Sequence, residues 1–297
     1  MKYSMDYVFN TSTNNGEVFF ATSDIGWVVG HSYIVYGPLI QGLTTVLYEG
    51  KPVGTPDEAN FWRMVARHKV SKMFTAPTAL RAIKKIDSDG VLPKKFDLSS
   101  LQALFLAGER ADSDTLVWGE ESLQHPLLDN WWQTETGWPI ASNMIGNPVK
   151  HGSTGRAVPG FDVRILDDKG KEIQEAKKLG TIALKLPTPP GFMKTLYNHD
   201  EKFISSYFEK FPGYYDSGDE GFIDEDKYVF VMSRTDDVIN VAGHRLSCGQ
   251  IEEVISDHSD VAECAVIGIK DKLKVDIFYH HYHQHVIITI RVKYRLV

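Results

Sequence analysis

The stretch Leu101-Gln-Ala-Leu-Phe-Leu-Ala-Gly-Glu-Arg110 decides the fold. Its first seven residues are almost all apolar, which is typical of a strand buried on both faces of a parallel sheet covered by helices. Ligands of open α/β sheets bind beyond the carboxyl ends of such strands, where Gly108, Glu109 and Arg110 would lie. A glycine at that point lets backbone atoms stack against a flat ring. The stretch therefore predicts both a fold class and an edge of the sheet at which a ligand binds.

Strand-like and helical segments alternate on both sides of this strand, which predicts a mostly parallel sheet. A Thr-x-x-Glu pattern predicts a helix with Thr55 as N-cap and Pro56 as its first residue, running to about Lys69. The other predicted elements are a strand running into a turn over Glu17–Val29, strands over Leu43–Tyr48, Val70–Phe74, Leu101–Ala107 and up to Trp132, and helices over Thr78–Ile86 and Asp112–Leu123.

The pattern changes after about Gly146, where short alternating segments separated by turns predict an antiparallel sheet or small barrel. These strands are predicted over Phe161–Leu166, Gly180–Leu186 and Lys227–Ser233. A new unit begins near Asp236, with a strand over Val238–Val241, a helix over Gly249–His258 and a strand over Val261–Ile269. The predicted division is therefore residues 1–235, 236–274 and 275–297.

The last 23 residues, from Val275, differ in composition from the rest of the chain. They contain His280, His281, His283 and His285, followed by a run of β-branched residues. Closely spaced imidazoles could share a metal ion. The alternative is a reading frame that has run past an exon end or shifted. We favour the second interpretation, because the stretch from His280 to His285 itself contains no carboxylate or cysteine.

Bulk composition excludes several classes of protein. The 297 residues are 42% hydrophobic and 24% charged with a net charge of −7, as in ordinary globular proteins. No basic block indicates nucleic-acid binding, and no run of 18 apolar residues predicts a membrane span. Two cysteines, Cys248 and Cys264, favour a reducing compartment inside the cell over a disulfide framework.

The segment Asp129-Asn-Trp-Trp-Gln-Thr-Glu-Thr-Gly137 carries an unusual pair of tryptophans. Neighbouring residues of a strand face opposite sides, so Trp131 and Trp132 cannot share one core, and one of them is expected to face a pocket. Thr134 and Glu135 are hard-oxygen groups of the kind that hold Mg²⁺ beside phosphates. We favour a functional interpretation of this segment over core packing.

Two later segments combine carboxylates, glycines and arginines. A carboxylate such as Asp219, in a glycine-flanked turn, can accept both hydroxyls of a ribose. Arg234 and Arg245 supply permanent planar charge for phosphate or carboxylate. A surface loop held by salt bridges is the alternative.

Taken in order, these segments resemble the adenylate-forming superfamily, and within it the short-chain acyl-CoA synthetases. The phrases that carry the resemblance are Trp27-Val-Val-Gly-His-Ser-Tyr33, Tyr36-Gly-Pro-Leu39, Tyr48-Glu-Gly-Lys-Pro52, Trp131-Trp-Gln-Thr-Glu-Thr-Gly137 and Asp236-Asp-Val-Ile-Asn-Val-Ala-Gly-His-Arg245. Phe208-Glu-Lys-Phe-Pro-Gly-Tyr-Tyr-Asp216 and Val231-Met-Ser-Arg234 are similar to the propionyl-CoA synthetase type. The resemblance covers roughly residues 1–274.

The resemblance implies that a short carboxylate reacts with ATP to give an acyl-adenylate, which then acylates CoA. It implies a partial large α/β domain followed by the start of a small α+β domain. The implied ATP and AMP site is Gly108, Glu109, Arg110, Asp129, Asn130, Trp131, Trp132, Gln133, Thr134, Asp219, Arg234 and Arg245, with Glu135 for Mg²⁺. Asp236 is the implied hinge, and Ala242 and Gly243 the implied CoA contacts. Relatives of this type indicate the mitochondrial matrix or the cytoplasm.

The implied acyl pocket is Trp27, Val28, Val29, Ala107 and Trp132. Acetate-selective members of the family carry valine where this chain has Ala107. Because two methyl groups are missing, we expect propionate or butyrate to be preferred over acetate.

Two family features have no counterpart in the sequence: a phosphate loop with its lysine, upstream of the region matching Met1, and the catalytic lysine beyond about Lys274. We therefore expect a chain truncated at both ends, with no catalytic residue of its own to assign. The leading hypothesis remains an acyl-CoA synthetase. The alternatives are an inactive splice remnant or wrongly predicted reading frame that at most binds nucleotide, and an adenylation domain that loads a carrier protein.

Overall fold

The computed structural model describes residues 1–12, 16–235, 238–241, 244–248, 251, 255, 264–270 and 276–282. A seven-stranded sheet forms its centre, in the order β2-β1-β3-β4-β5-β6-β7. β1 to β5 pair in parallel, whereas β6 and β7 add antiparallel pairs at one edge. The strands are β1 (Val18–Ala21), β2 (Thr44–Thr45), β3 (Lys72–Thr75), β4 (Ala103–Leu106), β5 (Leu127–Trp131), β6 (Ala141–Ser142) and β7 (Arg156–Ala157).

Helices connect the parallel strands, as the alternation predicts. They are α1 (Val28–Gly30), α2 (Gly37–Gln41), α3 (Asn60–His68), α4 (Pro77–Ile86) and α5 (Ser113–Leu123), whereas α6 (Asp200–Tyr207) lies between two strands of a later antiparallel sheet. A π-helical segment, His31–Tyr36, joins α1 to α2, and two further short helical segments cover Ser4–Val8 and Pro93–Lys95. Asp112 caps α5, because its carboxylate accepts the Thr115 N–H at 2.7 Å. None of the helices in the described part of the chain is long and apolar enough to cross a bilayer.

Both faces of the parallel sheet are buried, which explains the continuous apolar runs. Phe19 and Phe105 belong to the hydrophobic cluster on one face, whereas Phe20, Leu104 and Leu106 belong to the cluster on the other. Successive residues of β1 and β4 thus alternate between two cores. The α/β class and the helix-covered parallel sheet predicted from the sequence are confirmed.

A four-stranded antiparallel sheet, in the order β11-β10-β9-β8, follows the parallel sheet. Its strands are β8 (Val163–Leu166), β9 (Gly180–Lys185), β10 (Tyr214–Ile223) and β11 (Val229–Arg234). Two hairpins lie beyond it, β12 (Val238–Val241) with β13 (His244–Ser247), and β14 (Cys264–Lys270) with β15 (Asp276–Tyr282). The seven described residues of the histidine-rich tail thus form β15. That residues 275–297 are foreign to the family stays a prediction. The division at residue 235 also stays a prediction.

Three predicted elements have different bounds in the structure. The helix predicted from Pro56 begins at Asn60, because Asp57 accepts the Ala59 N–H at 2.9 Å and pairs with Arg63 in the first turn of the helix. The Thr55 carbonyl instead accepts the Tyr48 hydroxyl at 3.0 Å. The helix therefore begins four residues later than the Thr-x-x-Glu pattern indicates.

The strand predicted over Glu17–Val29 ends at Ala21. Asp24 forms a turn in which its carboxylate accepts the Gly26 N–H at 2.7 Å, and helix follows from Val28. Similarly, only Thr44–Thr45 of the predicted strand over Leu43–Tyr48 is paired.

Candidate functional site

A cleft of about 470 Å³ lies at the carboxyl ends of β1, β3, β4 and β5. Its lining follows the strand ends: Thr22 and Ser23 after β1, Thr75 and Ala76 at β3, Ala107 and Gly108 after β4, and Trp132, Gln133 and Thr134 after β5. Four neighbouring strands thus contribute to one site, at the edge where α/β sheets bind ligands. The volume lies within the usual range for small-molecule sites, about 300–1,000 Å³.

All five residues of the predicted acyl pocket line this cleft, namely Trp27, Val28, Val29, Ala107 and Trp132. Trp132 packs edge-on against Tyr33, whose ring is fully buried, with ring centroids 5.4 Å apart. Trp27 is 70% exposed and therefore lies at the mouth rather than the bottom. The walls between them are largely apolar.

The two adjacent tryptophans differ in burial and in their polar contacts, but the prediction that they cannot share one core is wrong, because both pack in the same hydrophobic cluster. Trp132 lines the cleft, whereas Trp131 is buried and donates its indole N–H to Asp219 Oδ2 at 3.1 Å. One indole thus shapes the cleft while the other ties the parallel sheet to β10.

Gly108 lies on the cleft lining with φ +104°, and a Cβ added there would meet no atom within 4 Å. The positive φ requires glycine at this position. The open space above its Cα is what a planar ring stacked on the backbone would need.

Glu109 and Arg110 do not line the cleft. The Glu109 carboxylate accepts the backbone N–H of Thr78 at the start of α4 and pairs with Arg81 at 2.9 Å. Arg110 is close enough for its charge to favour the ionised form of Asp129. Glu109 thus fixes the N-terminus of α4 beside the cleft, and its predicted contact with adenine stays a prediction.

Asp129 and Asn130 are buried at the end of β5 and have unused hydrogen-bonding capacity. Asp129 Oδ1 and both amide atoms of Asn130 lack partners among the described residues. Burial raises the pKa of Asp129 well above its usual range, although the Asn130 N–H and the charge of Arg110 lower it. Neither residue is among those that line the cleft, so their predicted nucleotide contacts stay predictions.

Asp219 lies at the centre of a hydrogen-bond network. Its Oδ2 accepts from Trp131 and, at 2.7 Å, from Gln133 Nε2, and its Oδ1 accepts from Arg234 at 3.2 Å. Gln133 Nε2 also donates to the Ser217 carbonyl at 2.7 Å. Since Gln133 lines the cleft, this network joins the carboxylate to the cleft wall.

Burial raises the pKa of Asp219 to about 6, against the opposing effect of Arg234, Trp131 and Gln133. Among the described residues, Oδ1 accepts a side-chain hydrogen bond only from Arg234, whose side chain is half exposed, and a carboxylate oxygen can accept from a second donor.

Glu135 and Thr134 are the candidate ligands for Mg²⁺. Thr134 lines the cleft, and Glu135 Oε1 accepts the Tyr207 hydroxyl at 2.8 Å. No group of three or more His, Cys, Asp or Glu side chains in the described part of the chain could hold a metal by itself. Mg²⁺ usually binds one or two carboxylates together with substrate phosphates, and the predicted role of Glu135 stays a prediction.

Four predicted site residues cannot be placed. Asp236, Ala242 and Gly243 lie outside the described residues, and Arg245 is described only through the backbone of β13. Their predicted roles stay predictions.

Several lining residues were missed from the sequence, among them Thr22, Ser23, Thr75 and Ala76. Their positions in the sequence could have indicated them, because each residue lies at or directly after the end of a parallel strand, where α/β sheets bind ligands. Thr22 and Thr75 hydrogen-bond through their hydroxyls at 2.7 Å and add a polar patch to the apolar cleft.

The fold and the cleft together define an α/β protein with a small-molecule site at the strand-end edge of its sheet. The model of the AMP-binding enzyme family matches residues 1–197. The chain belongs to the AMP-binding enzyme family, as the motifs indicate.

Three relatives illustrate the similarity. An uncharacterised protein of Pseudomonas aeruginosa is 53% identical over 262 residues, covering 87% of this chain and 42% of the relative. Acyl-CoA synthetase short-chain family member 3, mitochondrial, of Homo sapiens is 52% identical over 278 residues, covering 92% of this chain and 40% of the relative. Propionate–CoA ligase of Escherichia coli is 46% identical over 275 residues, covering 91% of this chain and 43% of the relative. The chain thus spans about two fifths of the length of these relatives.

The fold matches a solved structure of an anthranilate CoA ligase in complex with anthranoyl-AMP. The TM-score is 0.78 with 23% identity, over 94% of this chain and 50% of the other. The prediction of an adenylate-forming fold is confirmed.

Proposed function

We propose that the chain carries the acyl- and nucleotide-binding cleft of an AMP-forming acid–thiol ligase. In the proposed reaction a short-chain carboxylate attacks the α-phosphorus of ATP and pyrophosphate leaves. The thiol of CoA then attacks the acyl carbon of the adenylate, and AMP leaves. The relatives named above as an acyl-CoA synthetase and a propionate–CoA ligase support this reaction class.

The observation that carries the proposal is the mixed lining of the cleft. Ala107, Trp132 and the valines of α1 give apolar lining, whereas Gln133 and Thr134 give polar lining, and Gln133 donates to Asp219. An acyl-adenylate has this division, with a short alkyl chain at one end and a phosphorylated ribose at the other. Mg²⁺, held by Glu135 and the phosphates, would neutralise charge on ATP.

The ligand test uses the propyl ester of AMP, which resembles propionyl-AMP but does not react. We expect the ester to bind this chain more tightly than AMP in titration calorimetry, because its alkyl chain is removed from water beside Trp132 and Ala107. Propionate- and ATP-dependent release of pyrophosphate would extend the result to turnover. Binding without release would favour the nucleotide-binding alternative, and no binding of the ester at millimolar concentration would contradict the proposal.

The substrate is proposed to be propionate or butyrate in preference to acetate, because Ala107 leaves room in the apolar lining of the cleft. Ala107→Val should shift the preference from the propyl towards the ethyl ester of AMP, by about 10- to 200-fold, the usual worth of a methylene in an apolar pocket. The ratio of the two dissociation constants measures this shift. Ala157→Val, at an exposed position of β7, is the matched control and should leave the ratio unchanged. An unchanged ratio in the Ala107 variant would contradict the assigned pocket.

We propose an intracellular location. The human relative is named as mitochondrial, which supports the matrix, and the cytoplasm is the alternative.

A further inference from the structure

Two tyrosines that lie outside the cleft contact the residues on both sides of Thr134. Tyr207, the last residue of α6, donates its hydroxyl to Glu135 Oε1 at 2.8 Å. Tyr215, in β10, donates its hydroxyl to Gln133 Oε1, also at 2.8 Å. The two rings stack on each other with centroids 5.4 Å apart and planes 14° apart.

The stacked pair is itself held rigidly. Phe192 and Phe208 pack edge-on against the Tyr215 ring, with centroids at 4.8 and 5.8 Å. Phe203 packs against Tyr207 at 5.8 Å. Tyr215 is 1% exposed, and burial together with the Glu135 hydrogen bond raises the pKa of Tyr207 to about 12. Both phenols therefore stay protonated and act as fixed donors at physiological pH.

The Tyr215 contact fixes the orientation of the Gln133 amide. With Oε1 accepting from Tyr215, Nε2 must face the Ser217 carbonyl and Asp219 Oδ2. This orientation presents a donor to Asp219 and keeps its carboxylate in place. Loss of the Tyr215 hydroxyl would leave the Gln133 carbonyl without this partner.

The Tyr207 contact uses one oxygen of Glu135 and leaves Oε2 for another ligand. The Glu135 backbone carbonyl also accepts the Met193 N–H at 2.8 Å, so both the backbone and the side chain of this residue are anchored. Hydrogen bonds of this kind from a second layer orient carboxylate ligands of metals, and their loss typically costs 10- to 100-fold in metal affinity.

We propose that Tyr207 and Tyr215 are positioning residues, which hold Glu135 for Mg²⁺ and Gln133 with Asp219 for the ribose. The inference rests on the proposed function and deepens it. It assigns different consequences to the two hydroxyls, although the rings are in contact.

The test compares Tyr207→Phe with Tyr215→Phe, because both substitutions keep the ring and remove only the hydroxyl. For Tyr207→Phe we expect the Mg²⁺ concentration for half-maximal binding of α,β-methylene-ATP to rise about 10-fold, with AMP affinity within twofold of the wild type. For Tyr215→Phe we expect AMP to bind about 5- to 10-fold more weakly, with or without Mg²⁺, as for loss of one hydrogen bond.

Tyr214→Phe is the matched control. Tyr214 is the neighbour of Tyr215 in β10 and donates its hydroxyl to a carboxylate, Glu172, at 2.7 Å, away from the cleft. Tyr214→Phe should change neither the Mg²⁺ concentration for half-maximal binding nor the affinity for AMP. The inference is wrong if Tyr207→Phe weakens AMP binding as much as it raises the Mg²⁺ concentration for half-maximal binding. It is also wrong if neither variant changes these quantities while the wild type binds AMP.

Amide hydrogen exchange of the chain without nucleotide separates this inference from the proposed function. Tyr207→Phe and Tyr215→Phe should both speed exchange in the segment 133–137, whereas Tyr214→Phe should not. If the wild type fails to bind nucleotide, the proposed function is wrong. Unchanged exchange would show that the hydroxyls do not hold this segment.

Discussion

Asp219→Asn is expected to weaken AMP binding by about 10- to 100-fold at pH 7.5. Oδ1 of this carboxylate is the oxygen proposed to accept a ribose hydroxyl, and a charge-assisted hydrogen bond contributes about 1.5–3 kcal/mol. The amide oxygen can still accept from Trp131 and Gln133, and the half-exposed Arg234 can turn to water, so the fold should survive. Titration calorimetry with AMP measures the loss, and circular dichroism checks the fold.

Asp162→Asn is the control, because Asp162 also pairs with an arginine, Arg164 at 2.6 Å, but lies exposed on the antiparallel sheet. It should bind AMP as the wild type does. If the Asp219 variant also binds AMP normally, Asp219 does not hold the ribose.

The pH dependence of AMP binding follows from the same carboxylate. The pKa of Asp219 is about 6, and the ionised form accepts the ribose hydroxyls better. Affinity should therefore be constant well above pH 6 and fall as the pH drops through that value, by at most tenfold per pH unit. The measurement uses the propyl ester of AMP, because the phosphate monoester of AMP itself has a pKa of about 6 whereas the phosphodiester does not titrate there. With this ligand the decline should persist in Asp162→Asn and disappear in Asp219→Asn. A wild-type affinity that is flat between pH 5 and 7 would contradict the assignment.

The sequence indicates the fold because the signals are local. The run over Leu101–Ala107 is apolar on both faces, and in the structure its residues alternate between two buried clusters. The pair Trp131 and Trp132 was interpreted correctly only in part: Trp132 lines the cleft, but both indoles pack in one cluster, because Trp132 lies beyond the end of β5, where strand alternation no longer applies. Helix starts were predicted less well, because Asp57 and Asp24 form turns through side-chain contacts that propensity does not specify.

The supporting contacts of the site could not be predicted, because they join distant parts of the chain. Tyr207 and Tyr215 lie 72 and 82 residues beyond their partners Glu135 and Gln133. Nothing in the local pattern around either tyrosine indicates a partner. Glu109 shows the reverse case, in which a residue near the predicted site binds the start of a helix instead.

Glu17→Gln is expected to lower the free energy of unfolding by about 3–5 kcal/mol, the usual cost of breaking a buried ion pair. Glu17 Oε1 pairs with Lys72 Nζ at 2.7 Å, and their side chains are 7% and 0% exposed. Oε2 accepts the Ser12 N–H at 2.9 Å, so the carboxylate is bound through both oxygens. The variant leaves the Lys72 ammonium buried without its counter-charge, and urea denaturation at pH 7 measures the cost.

The pair Lys69–Asp97 provides the control, because its atoms are also 2.7 Å apart but its side chains are 62% and 59% exposed. Asp97→Asn should barely shift the urea midpoint, since water screens the charges. The double variant Glu17→Met/Lys72→Met should recover most of the loss, because it removes both charges from the interior. Glu17 joins β1 to β3 at the end of the sheet opposite the cleft. We therefore expect Glu17→Gln to lower the free energy of unfolding without changing the affinity for AMP. A Glu17→Gln variant as stable as the wild type would show that Lys72 finds another partner or reaches water.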